Sequence, residues 1–368
     1  MKLHSHLRGW IPALILGCST AAVALADASG KPFNPDISVN FLGLANGGSL
    51  YPSNRGAVTH NGLELQETEL QIFSDVDPYF RANALLSLAP TPAGDFSLDP
   101  EEVFLESTTL PFVTLRAGKF KAALGRHNQL HSHAFPFIDA PLINQELLGS
   151  EGLNDAGASA AVLMPTSWYM ELTAQALGAS NQNLFGTTNS GDVLAVAQLK
   201  NLWDLSDSAT IDLDLFGANG NNQFGGNSSI AGADFTLKWR PVEGGKYTAI
   251  WWQTEYMQGN RGGAPGAATL IGDTQAPAVG TEGGIASWVM YQFGERWWVQ
   301  IRGERTGLAA SSDFVAETKQ SALLGLFPSE FSGFRLQVDH YTTDAGTSAY
   351  NVAFQTNITI GAHPAHSY

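Results

Sequence analysis

Apolar and polar side chains alternate with a period of two through most of the chain, in segments of about 8 to 11 residues bounded by Gly, Asn and Pro. In 168–177, Trp168, Met170, Leu172, Ala174 and Ala176 share one face, while Tyr169, Glu171, Thr173 and Gln175 share the other. Ile211, Leu213 and Leu215 alternate with Asp212 and Asp214, and Val352, Phe354, Ile358 and Ile360 alternate with Asn351, Gln355, Asn357 and Thr359. Period two sends successive side chains to opposite faces of a strand. Beyond the N-terminal leader no window holds 18 consecutive apolar residues, which rules out membrane-spanning helices.

The pattern marks sixteen strands, at 37–45, 63–74, 79–89, 101–108, 112–121, 157–165, 168–177 and 192–199, then 209–217, 230–240, 246–257, 285–293, 297–306, 319–327, 332–341 and 350–360. Short connections (75–78, 109–111, 165–167, 294–296, 327–330, with somewhat longer links at 200–208 and 241–245) alternate with longer ones (46–62, 90–100, 122–156, 178–191, 218–229, 258–284, 307–318, 342–349). That asymmetry is characteristic of outer-membrane barrels. Only 14% of the residues are charged, where a soluble domain carries roughly 25%. A β-sandwich would need a solvent face richer in Lys and Glu, and two soluble β domains would need a linker that the chain lacks. Closing the strands removes the edges and turns the apolar face to lipid. The expected fold is all-β, a transmembrane antiparallel β-barrel. Trp168, Tyr169, Trp203, Trp251, Trp252, Trp288, Tyr291, Trp297 and Trp298 sit near strand ends, as in interfacial girdles.

Residues 1–26 read as a secretory signal peptide, with Lys2 and Arg8 before an apolar stretch and Ala24-Leu25-Ala26 as the cleavage site. A membrane anchor is opposed by the interruptions at Pro12, Cys18, Ser19 and Thr20, and lipidation at Cys18 by the apolar residues that follow it. Cleavage removes two of the 19 basic residues and the one Cys, leaving 17 Lys+Arg against 34 Asp+Glu and a formal charge of −17. Such acidity argues against nucleic acid as a partner. The expected organisation is a leader (1–26), a barrel (27–360) and a short tail (361–368), integral to a Gram-negative outer membrane, with lipid and lipopolysaccharide around it. External acidic residues such as Asp192, Asp273 and Glu282 are candidates for Ca or Mg that bridges lipopolysaccharide.

Leu115-Arg116-Ala117-Gly118-Lys119-Phe120-Lys121 runs into Gly125-Arg126 and is followed by Phe135-Pro136-Phe137-Ile138-Asp139-Ala140-Pro141-Leu142, with Gly149 and Gly152 ahead of Gly157. These residues resemble the phosphate-selective porin superfamily (porin O and P) and the related proteins labelled zinc-regulated outer-membrane receptors. The resemblance implies a sixteen-stranded homotrimer in which a long third external loop, here 122–156, folds inward to narrow the channel. The chain departs from the anion-selective pattern in lacking a ladder of Arg and Lys, so phosphate selectivity is not expected.

The loop is too apolar for a water-exposed one, and 142–148 has the length of about two helical turns. Packed on the inner wall, it leaves Arg126, His127, His131, His133, Asp139, Asn144 and Glu146 to form a pore constriction; a cap over the barrel mouth or a subunit contact are the other arrangements. His127, His131 and His133 are also candidate Zn or Cu ligands, with Asp139 or Glu146 adding oxygen, or they are loop histidines that pack and hydrogen-bond. Alternation assigns Arg81, Arg116, Glu171, Asp212, Asp214, Arg302, Glu304, Arg335 and Asp339 to the lumen wall, together with Asn83, Gln175, Gln300 and Gln337. There they set the pore's field or pair across strands. The chain carries no Gly-x-Ser-x-Gly, His-Glu-x-x-His or Walker motif. The expected function is passive diffusion of small hydrophilic solutes or ions, without catalysis; a metal-binding receptor and a barrel anchor in a surface complex are the alternatives.

Overall fold

The computed structural model describes residues 35–49, 61–90, 95–149, 152–180, 184–186, 191–223, 225–263, 279–309, 311 and 315–361. Sixteen strands follow one another: β1 (Asp36–Gly48), β2 (Gly62–Asp75), β3 (Phe80–Pro90), β4 (Phe96–Ser107), β5 (Val113–Lys121) and β6 (Asn154–Leu163). Next come β7 (Tyr169–Gly178), β8 (Val193–Ser206), β9 (Ala209–Asn221), β10 (Asn227–Trp239) and β11 (Ala249–Arg261). The last are β12 (Gly280–Gln292), β13 (Trp297–Leu308), β14 (Glu317–Ser329), β15 (Ser332–Thr343) and β16 (Ser348–Gly361). Each pairs antiparallel with its neighbours, and β1 closes on β16 through pairs such as Val39 with Ile360. Closure leaves no strand edge, the condition for crossing lipid with strands.

The two faces are inverted relative to a soluble protein. On β13, Ile301 is 60% exposed while its neighbours Gln300 and Arg302 are 4% exposed. Leu172, Leu215, Leu336 and Val352 likewise face out, with Asp212, Asp214, Gln337 and Asp339 turned in and buried. Aromatics gather at the short-turn end, where Tyr79, Phe112, Trp168, Trp252, Phe293 and Trp297 are exposed. Trp288 departs from the expected girdle: it is buried inside the barrel in a cluster with Phe137, Ile138 and Leu323.

Several strands run beyond their apolar pattern. β8 continues to Ser206, leaving only 207–208 as a turn, and β9 and β10 shorten the 218–229 connection to 222–226. The added ends, such as Ala218-Asn-Gly-Asn221, pair through their backbones and carry a single apolar side chain, Ala218, too little to register as alternation. For the same reason Glu282 is not in an external loop: β12 begins at Gly280, and the Glu282 side chain is buried beside Arg261. The leader 1–26, Asp273 and residues 362–368 of the tail lie outside the described residues.

The third long connection, L3 (122–153), is folded into the barrel. It holds two short 3-10 turns, His127–Gln129 and Ser132–Ala134, and one helix, α1 (Leu142–Leu148). Ile143, Leu147 and Leu148 of α1 join Phe120, Phe185, Phe216 and Met257 in a buried apolar core. The wall is pared back to admit the helix: a Cβ on Gly284 would lie 2.9 Å from Ile143 Cβ, and one on Gly259 2.6 Å from Leu147 Cδ2. Glycine in a strand interior often marks such a close approach.

Candidate functional site

Asn128 clasps the base of L3. Its Nδ2 donates to the carbonyls of Ala122 (2.8 Å) and Leu153 (3.1 Å), and its Oδ1 accepts from the Leu153 amide (2.7 Å). From this clasp the loop crosses the lumen and meets the wall in three sectors.

On β9–β11 the wall is acidic. Asp234 Oδ2 accepts from the Arg126 amide at 2.6 Å, and the Arg126 guanidinium lies 3.4 Å from Asp212. Glu255 accepts from the His127 amide (3.2 Å) and from Asn144 Nδ2 (2.6 Å). Glu146 is paired with Arg261 at 3.6 Å. His127 is buried with its ring against Phe135, centroids 4.3 Å apart. Burial, reinforced by the positive charges of Arg302 and Lys121, pushes its pKa down to about 3, so the imidazole is neutral.

On β13–β15 the wall supplies cations. Arg302 donates to the Asp139 carbonyl (3.0 Å) and to its Oδ1 (2.9 Å), lies 2.7 Å from Glu304 and stacks over Phe137 at 4.3 Å. Lys319 pairs with the same Asp139 carboxylate. Arg335 donates to the Phe135 carbonyl at 2.5 Å, while Gln337 Oε1 accepts from the Ile138 amide (2.8 Å) and Glu304 from the Leu142 amide (2.6 Å). Burial works against an ionised Asp139, but Arg302 and Lys319 outweigh it and hold the carboxyl well below its usual range.

On β2–β4, His131 hydrogen-bonds Glu101 (2.8 Å) and Glu102 (3.3 Å), and His133 contacts Glu69. Burial alone would lower the His131 pKa; the two glutamate hydrogen bonds outweigh it and raise the value to about 9. The His131 and His133 rings stack with centroids 6.1 Å apart. The structure thus brings two of the three candidate histidines together and sets His127 apart on Phe135.

The remaining wall residues also face inward. Arg116 is 2.7 Å from Glu106, Lys200 is 3.8 Å from Asp212, and Gln198 donates to Asp214 at 3.3 Å. Asp339 accepts from Ser321 (2.6 Å), and Tyr169 donates to Glu171 (3.0 Å). Arg81, near the short-turn end, reaches Asp75 at 3.9 Å. Sequence reading passed over Asn128, Asp234, Glu255 and Lys319. Alternation around Asp234 and Glu255 already marks both as inward; Asn128 sits in an irregular loop that no period reports.

No protein family model matches the chain. A sequence relative is an uncharacterized protein of Aquifex aeolicus, 27% identical over 354 residues that cover 83% of this chain and 70% of that one. Among solved structures, the outer membrane channel DcaP of Acinetobacter baumannii matches with a TM-score of 0.57 and 11% identity over 89% of this chain and 97% of that one. A loop-deletion form of OmpT, an outer membrane protein of Vibrio cholerae, matches at 0.56 with 10% identity, over 89% and 99%. An anion-selective porin from Comamonas acidovorans matches at 0.55 with 11% identity, over 89% and 98%. At these identities the likeness is one of fold, and it does not single out the phosphate-selective branch. The chain has the fold of the outer-membrane porins, a closed sixteen-strand barrel integral to the outer membrane.

Proposed function

We propose that the chain is a general porin, a passive route for small hydrophilic solutes and ions across the outer membrane. The observation that carries this reading is L3, which enters the lumen and is held at β2–β4, β9–β11 and β13–β15, narrowing the barrel from within. In this reading L3 itself is the constriction: of the residues expected to line it, Arg126, Asp139 and Glu146 are half-buried, whereas His127, His131, His133 and Asn144 are buried against the wall and anchor the loop instead of lining the pore. Catalysis plays no part in this function.

Arg116, Arg126, Lys200, Arg302 and Lys319 each face a carboxylate within 4 Å. Cations compensated in this way do not make the open ladder that phosphate selectivity requires, and the surplus of acidic residues favours cations through the lumen field. Residues 1–26 are removed on export, so the mature chain begins at Asp27. A homotrimer is the expected assembly; OmpT of Vibrio cholerae is described in a trimer form.

The test is reversal potential across a planar bilayer under a KCl gradient. The expected result is a modest preference for potassium and no block by inorganic phosphate. A strong chloride preference, or phosphate block of the current, overturns the reading.

A further inference from the structure

The β2–β4 sector, one of the three places where L3 is held, has a donor set that goes beyond anchoring the loop. Glu69, Glu101 and His131 each place one ligating atom so that all lie within 4.8 Å of one another, and all three residues are buried.

Two β-bulges build the group. In β2 the register passes from Leu42–Glu67 to Gly43–Leu65, leaving Gln66 unpaired; beyond that bulge Glu67 and Glu69 are both buried. In β4 it passes from Leu85–Glu102 to Leu86–Pro100, leaving Glu101 extra. A bulge re-aims the side chains beside it, and this one lets the consecutive residues Glu101 and Glu102 both reach His131, which a regular strand forbids. The group is therefore more than a surplus of acids: an imidazole stands among the carboxylates, and His133 adds a second against Glu69. Glu69 is only 2% exposed, and its Oε1 accepts no hydrogen bond among the described residues. A buried carboxylate oxygen in that state is costly unless something else satisfies it.

We propose that Glu69, Glu101 and His131, with His133 as fourth donor, bind one divalent transition-metal ion of the zinc class and so clip L3 to strands β2 and β4. Two imidazole nitrogens and two carboxylate oxygens form a tetrahedral set suited to zinc. Calcium and magnesium ask for six or more oxygens. The His131–Glu101 hydrogen bond occupies the position that the ion would take, so binding expels the proton between them. The clip is independent of whether the barrel conducts.

Calorimetric titration of the full barrel in detergent, stripped with EDTA, tests the site with Zn²⁺ alone, and X-ray absorption at the zinc edge reads its ligands. One zinc per chain is expected, with nitrogen and oxygen ligands and an imidazole signature, undisturbed by excess Ca²⁺ or Mg²⁺. His131→Ala and the isosteric Glu69→Gln should each weaken binding by about tenfold or more, while His340→Ala, outside the group, leaves it unchanged. Heat-modifiable migration on gels verifies that each variant keeps its barrel. Absence of saturable binding, displacement by Ca²⁺ at equal concentration, or full affinity in both folded variants overturns the proposal.

Discussion

L3 is held by two walls of opposite character. Against β10 and β11 the loop offers backbone amides, at Arg126 and His127, to the carboxylates of Asp234 and Glu255. Against β13 and β15 it offers carbonyls, at Phe135 and Asp139, to the guanidiniums of Arg335 and Arg302. A loop buried in a lumen has the same accounting problem as any buried backbone: its donors and acceptors need partners. Here Asp234 and Glu255 take donors, while the β13–β15 wall serves both kinds: its guanidiniums meet the carbonyls of Phe135 and Asp139, and its Gln337 and Glu304 accept from the amides of Ile138 and Leu142. Much of the interior charge thus serves to seat the loop, and a tally of lumen charges overstates what a permeating ion meets.

The cationic wall should be the more sensitive. Arg302→Ala leaves Asp139 and Glu304 without their guanidinium partner, and losing one member of a buried pair costs about 3–5 kcal/mol. Loop release should appear as new protease cleavage within 122–153 while the barrel still migrates as folded. Gly284→Ala attacks the seat of α1 without touching charge. Its new methyl strikes Ile143, and overpacking of this kind costs about 1–3 kcal/mol, whereas Gly303→Ala, with nothing within 4 Å of the added atom, should be silent in the same thermal melts.

The acidic wall should tolerate more. Glu255→Gln keeps an oxygen for the His127 amide but gives up the acceptor that faces Asn144 Nδ2, a hydrogen bond of about 1 kcal/mol, read by the same proteolysis assay. The smallest effect at neutral pH belongs to His127, which is already neutral there. Its folded pKa of about 3 lies below the ordinary 6.5, so the released state binds more protons as pH falls. Loop seating should weaken progressively from about pH 6.5 toward 3, and His127→Gln should blunt that acid loss; an unchanged acid profile in the variant would assign it to the carboxylates instead.

Much of this was readable in the residues. Alternation located all sixteen strands, because lipid on one side and a polar lumen on the other enforce period two. It failed where that contrast fades, at Gly- and Asn-rich strand ends, and so placed Glu282 in a loop. The apolar run around α1 showed that L3 is covered, since Leu142–Leu148 has no reason to face water. What period could not show was which wall residue meets which loop atom. Glu101 and Glu102 are the clearest instance: adjacent residues belong to opposite faces until a bulge intervenes, and this one shows only as a slip of phase, from Phe96 and Leu98 facing out to Val103 and Leu105, which a strand read from 101 onward does not contain. Trp288 is another, since a tryptophan near a strand end reads as girdle whichever way it points.

The central claim is that L3 narrows a conducting lumen and is held there by its walls. Single-channel recording in planar bilayers, comparing the wild-type chain with Arg302→Ala, tests it most directly. Discrete open steps in the wild type and larger, noisier steps in the variant are predicted. Silence from both chains, or steps of the same size in the two, would contradict it.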